Sequence, residues 1–98
     1  MDKEINIEEL KKMQNNGAIV IDVRSKQEFM ENHINGAISL PEFDIAQKIA
    51  RIVKDKEKYI ILYCGTGTRS KKAQKELQYM GYKNVYNLRE GLFYYWDF

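Results

Sequence analysis

Two apolar runs limit the possible folds of this chain more than any other feature: Ala18-Ile19-Val20-Ile21-Asp22-Val23 and Tyr59-Ile60-Ile61-Leu62-Tyr63. Both are rich in branched or aromatic residues and almost free of polar interruption. A strand with one wet face alternates apolar and polar residues, so an unbroken run indicates cover on both faces, as in a parallel sheet. Parallel neighbours need long crossovers, which places helices between such strands. The intervening segments supply them. Asn6 stands before a helical segment with Glu8 and Glu9 in its first turn and Gly17 as its stop. Ser25 and Glu28 form a capping-box pattern that opens a short helix over residues 26–31. Ile45, Ile49, Ile52 and Val53 recur at i, i+4, i+7 and i+8, one apolar helical stripe. A further helix over residues 70–80 turns Ala73, Leu77 and Met80 inward and Lys71, Lys72, Lys75 and Gln78 outward, and Gly81 stops it. Ala37-Ile38-Ser39-Leu40, ended by Pro41, and Asn84-Val85-Tyr86-Asn87-Leu88 complete the set of strands.

This alternation predicts an α/β three-layer sandwich: a small, mostly parallel central sheet with helices on both faces. At 98 residues the expectation is one domain over residues 1–98. The 16 basic residues against 14 acidic give a net charge of +2, too small a field to mark nucleic acid as a partner. No apolar run approaches the roughly 18 residues of a membrane span, and the N-terminus lacks a signal-peptide core. A cytoplasmic monomer without membrane contact is therefore expected. The single cysteine excludes an intramolecular disulfide and a multi-cysteine metal cage, so no metal and no cofactor are expected.

Ligands of open α/β sheets sit beyond the carboxyl ends of the strands. One strand ends there in Cys64-Gly65-Thr66-Gly67-Thr68-Arg69-Ser70. Glycines let backbone amides turn inward and form an anion-binding nest. The helix N-terminus just beyond adds partial positive charge, and Arg69 adds a full one on a fork suited to oxyanions. A thiol in that setting titrates below its free value of about 8.5, and the thiolate is the nucleophile. A lone cysteine after an apolar strand is ordinarily a small buried hydrophobe. No core needs the glycine-rich continuation, which favours a reactive site.

The segment resembles the active-site loop of the rhodanese-like sulfurtransferases. Ile21-Asp22-Val23-Arg24-Ser25, Glu28-Phe29, His33-Ile34, Gly36-Ala37-Ile38 and Leu40-Pro41 are similar to that family's N-terminal signature. Gly81-Tyr82, Asn84-Val85-Tyr86, Leu88 and Gly91 are similar to its C-terminal one. The resemblance implies a small domain with a helix-flanked parallel sheet and a cysteine that takes sulfur from a donor such as thiosulfate. Cys64 would carry the persulfide, and Gly65, Thr66, Gly67, Thr68 and Arg69 would form its cradle, with Arg69 as the anion clamp. The implied partners are a small anionic sulfur donor and a thiol, cyanide or protein acceptor. Asn32 replaces the family's glycine before the histidine; asparagine tolerates the same left-handed backbone. Glu90-Gly91 replaces a Gly-Gly pair, at a distance from the chemistry. Gly65 and Thr66 stand where some members carry basic residues, which opens persulfides or a delivering protein as donors in place of thiosulfate.

Rival readings are weaker. A cysteine phosphatase loop places five residues between cysteine and arginine, whereas four stand here, and phosphate esters also require a general acid. Gly65-Thr66-Gly67 begins like a dinucleotide fingerprint, but Ser70 replaces its third glycine. His33 in a short turn reads as a structural histidine rather than a base for Cys64, and Asp22 with Arg24 as an internal brace. Glu28 reads as a helix cap. A non-catalytic docking module would use Lys71, Lys72 and Lys75 or the aromatic segment of residues 93–98, which is expected to pack at the sheet edge and wall the pocket.

Overall fold

The computed structural model describes residues 3–94. Its sheet has five strands: β1 (Glu4–Ile5), β2 (Ile19–Asp22), β3 (Ile38–Ser39), β4 (Tyr59–Tyr63) and β5 (Asn84–Leu88). They lie in the order β1-β5-β4-β2-β3, and every neighbouring pair is parallel. The helices are α1 (Ile7–Asn15), α2 (Lys26–Glu31), α3 (Glu42–Ile52) and α4 (Thr68–Tyr79), with a 3-10 turn over Leu92–Tyr94. No helix among the described residues is long and apolar enough to cross a membrane.

The two apolar runs occupy the middle of the sheet, where β4 pairs with β2 on one side and β5 on the other. Successive side chains of a strand point to opposite faces, so β4 feeds two separate cores. Ile60, Leu62 and Cys64 join Ile45 and Ile49 of α3 and Ala73 and Leu77 of α4. Ile61 and Tyr63 join Val20, Leu10 of α1, Leu88 and Leu92. That two-sided burial is the three-layer architecture expected, and it explains why the runs carry no polar alternation. Both capping boxes form: the Asn6 side chain accepts from the Glu9 N–H and that of Ser25 from the Glu28 N–H, while each glutamate accepts from its cap residue's own N–H.

Four details differ from the sequence reading. Strand β1 was not anticipated, because two residues carry no periodicity; it adds to the edge of β5. Helix α4 begins two residues earlier than residue 70, since Gly67 turns the chain at φ +90 and helical geometry resumes at once. Ile52 of the expected stripe is largely solvent-facing, whereas Ile45, Ile49 and Val53 are buried. Asn32 is extended (φ −168), and no non-glycine residue among those described has positive φ, so the left-handed turn expected there is absent.

Ile61 lies fully buried between β2 and β5. Ile61→Ala is expected to lower the unfolding free energy by about 2–5 kcal/mol, read as a lower urea midpoint at unchanged slope.

Candidate functional site

Cys64 is the first residue past β4, and the alternation of the strand aims its side chain to the face that carries α4. The chain then turns so that amide hydrogens point back at the sulfur. The Gly67 N–H donates to Sγ at 3.1 Å, the Ser70 N–H at 3.4 Å, and the Ser70 hydroxyl lies 3.4 Å away. The Thr66 amide also favours the charged sulfur. Burial pushes the thiol up, but these hydrogen bonds outweigh it, led by the Ser70 hydroxyl, and the net direction is below the ordinary thiol value. The nest inferred from the glycines is present.

Two backbone contacts hold the loop in that shape. Gly67 is left-handed, and a Cβ there would run into the Arg89 carbonyl oxygen. Gly91 lies so close to Gly65 that a Cβ would collide with the Gly65 carbonyl. The 3-10 turn adds hydrogen bonds from Leu92 N–H to the Cys64 carbonyl (2.8 Å) and from Phe93 N–H to the Gly65 carbonyl (3.1 Å). The Phe93 ring lies against Gly65, at one wall of the loop as expected; residues 95–98 of the aromatic segment lie outside the described residues. Gly91 thus shapes the loop directly, contrary to the expectation that the Glu90-Gly91 pair stands apart from it.

The Arg69 guanidinium forms a two-pronged pair with Glu28, Nη1 to Oε1 at 2.9 Å and Nη2 to Oε2 at 3.1 Å. Glu28 therefore does more than cap α2. The Arg69 pair, against the cost of burial and with help from Ser25, holds its carboxyl down at about 2. Among the described residues, no hydrogen bond reaches Sγ from Gly65, Thr68 or Arg69. The Thr68 hydroxyl faces that of Thr66 at 3.3 Å instead.

Behind Glu28 stands a second brace. Asp22 at the end of β2 is fully buried and takes the Arg24 guanidinium through Nε and Nη2, with the closest contact 2.9 Å. Asp22 also accepts from the Arg24 N–H at 2.9 Å, so the carboxylate folds the chain from β2 toward Ser25. His33 stacks on Phe29 with ring centres 3.7 Å apart, and its Nδ1 lies 2.7 Å from the Phe29 carbonyl oxygen. Cys64 itself has no solvent exposure. The sulfur contact that sequence reasoning missed is Ser70, a serine inside a helix; its signal was its place one turn beyond the left-handed glycine. No group of three or more metal-ligating side chains occurs among the described residues.

With this geometry established, comparison with known proteins is informative. A profile of the rhodanese-like domain matches residues 6–97. The thiosulfate sulfurtransferase PspE of Escherichia coli is 37% identical over 67 residues, 68% of this chain and 64% of that protein. A tRNA uridine(34) hydroxylase of Sodalis glossinidius is 32% identical over 82 residues, 80% of this chain but 23% of that protein. The chain thus spans less than two thirds of the length of these relatives. A solved structure described as rhodanese with anions from E. coli superposes with a TM-score of 0.72 at 34% identity, covering 78% of this chain and 88% of that one.

Ser70→Ala removes the hydroxyl facing Sγ, so the thiol is expected to titrate at higher pH, measured by thiolate absorbance across a pH series. An unchanged midpoint would leave the backbone amides as the whole cause. The Glu28–Arg69 pair gives a second pH signature. Glu28 ordinarily titrates near 4.5 and in the folded chain near 2. Its contribution to stability is full above the higher value and is lost as pH falls through the lower one. Urea midpoints between pH 4.5 and 2 are expected to fall more steeply for the wild type than for Glu28→Gln.

Proposed function

We propose that this chain, which belongs to the rhodanese-like domain family, is a sulfurtransferase that carries a sulfane sulfur as a persulfide on Cys64. The observation that carries the reading is the convergence of the Gly67 and Ser70 amides and the Ser70 hydroxyl on one sulfur atom. Such donors stabilise negative charge on the cysteine sulfur without bringing a cation into contact.

In the first half-reaction the Cys64 thiolate attacks the outer sulfur of a donor. With thiosulfate, the donor's S–S bond breaks, sulfite leaves with the bonding pair, and Cys64 keeps the outer sulfur as an anionic persulfide. In the second, an acceptor thiolate attacks that outer sulfur. The Cys64–sulfur bond breaks, the acceptor becomes the persulfide, and the Cys64 thiolate returns. No oxidant or reductant is consumed overall. The nest serves both halves, because the stabilised anion at Cys64 is the nucleophile first and the leaving group second. A thiosulfate sulfurtransferase among the relatives supports thiosulfate as one donor. The pairing of Arg69 with Glu28 leaves the loop without a free clamp for a dianion, which supports persulfide donors beside it. Because Cys64 is fully covered, donor and acceptor reach the sulfur only when its cover shifts.

Intact-mass analysis after incubation with thiosulfate, or with a small-molecule persulfide, is expected to show a gain of one sulfur atom that cyanide removes. Cys64→Ser should show none. Wild-type protein unmodified by every donor would overturn the reading.

A further inference from the structure

Beside the reactive loop lies an open cleft of about 570 Å³. One wall is the outer side of Thr66, Gly67 and Thr68, and the others carry Lys71, Lys72 and Lys75 of α4 and Arg89 just past β5. Gly67 is shared: its N–H faces Sγ from one side, and it lines the cleft on the other. Anything seated in the cleft is one residue away from the sulfur.

The charge in this cleft is not a by-product of composition. The whole chain carries a net +2, yet four cations line this one cleft against a single carboxylate, Glu4. Glu4 is nearly buried and is engaged by Lys71 at 3.0 Å and by the Asn87 amide at 2.8 Å. Lys72 is highly exposed, and its nearest carboxylate oxygen, on Glu42, is 3.7 Å away. Arg89 makes one long contact, 3.5 Å to a backbone carbonyl. Lys75 is exposed and has no ion pair among the described residues. Lys72, Lys75 and Arg89 therefore hold three positive charges open to solvent beside the loop.

We propose that this cleft docks an acidic segment of the protein that exchanges sulfur with Cys64. The inference rests on the sulfurtransferase reading and names its macromolecular partner. Lys72 and Lys75 are three residues apart on one helix and Arg89 follows a different element, so the positive charge of the cleft is shared between two parts of the fold. An extended run of aspartate or glutamate side chains reaches all three. Docking here holds the partner against the outer side of the loop, and the binding energy is available to displace the cover of the buried thiol.

The test uses synthetic peptides with one cysteine flanked by acidic or by neutral residues, and matching peptides with serine in place of cysteine. Fluorescence anisotropy with the serine peptides reads docking without chemistry. Transfer from persulfidated protein to the cysteine peptides, followed by mass, reads the reaction. The acidic serine peptide is expected to bind on the order of tenfold tighter than the neutral one, and the advantage should shrink with salt. Lys72→Gln/Lys75→Gln should remove most of that advantage while transfer to the neutral cysteine peptide continues at the wild-type rate. Equal binding of acidic and neutral peptides, or a preference undiminished in the double variant, overturns the proposal. So does an RNA oligonucleotide of equal charge that binds as tightly as the acidic peptide. If no persulfide forms but the anisotropy preference holds, the sulfurtransferase reading fails and the docking surface stands.

Discussion

The site depends on one balance: a sulfur atom withdrawn from water at the end of the central strand and compensated there by hydrogen-bond donors. Burial alone would make Cys64 an inert thiol. The Ser70 hydroxyl and the amides of Ser70, Thr66 and Gly67 reverse that effect. The amide donors are fixed by the backbone, so they need no reorganisation when charge appears on sulfur. Their direction depends in turn on Gly67, whose left-handed turn brings the chain into α4 only four residues past the end of β4.

A chain of charges organises the other side of the site. Asp22 holds Arg24 in a fully buried pair, which shapes the path from β2 into α2. Ser25 and Glu28 then cap α2, and the same Glu28 fixes Arg69. Buried pairs of this kind gain little net stability against their desolvation cost, so the role of Asp22 and Arg24 is geometric. The arginine next to the loop is consequently a structural tie between α2 and α4 as much as a source of field.

Much of the fold is legible in the sequence because local and global signals agree. The unbroken apolar runs become the two central strands and both capping boxes form, whereas β3 stops at Ser39, two residues short of Pro41, which stands before α3. Cys64 and its glycine nest are legible because few other structures need that spacing. The missing parts share a cause: they depend on contacts distant in sequence. Arg69 and Glu28 are 41 positions apart, and nothing in either neighbourhood announces the pair. Ser70 reads as an ordinary helix residue until the loop folds back on the sulfur. Two-residue β1 exists only because β5 offers it an edge. The relation of Gly91 to Gly65 is a backbone contact that no side-chain pattern encodes.

The loop is closed from behind by residues that follow it by more than twenty positions. Arg89 and Gly91 press on it, and the amides of Leu92 and Phe93 bond its carbonyls. Until that downstream stretch docks, nothing seats the peptide groups around Cys64, and the thiol behaves as it would in any unfolded chain. The lowered titration of the sulfur is thereby tied to completed folding, so a partly synthesised or locally melted chain carries only an ordinary thiol.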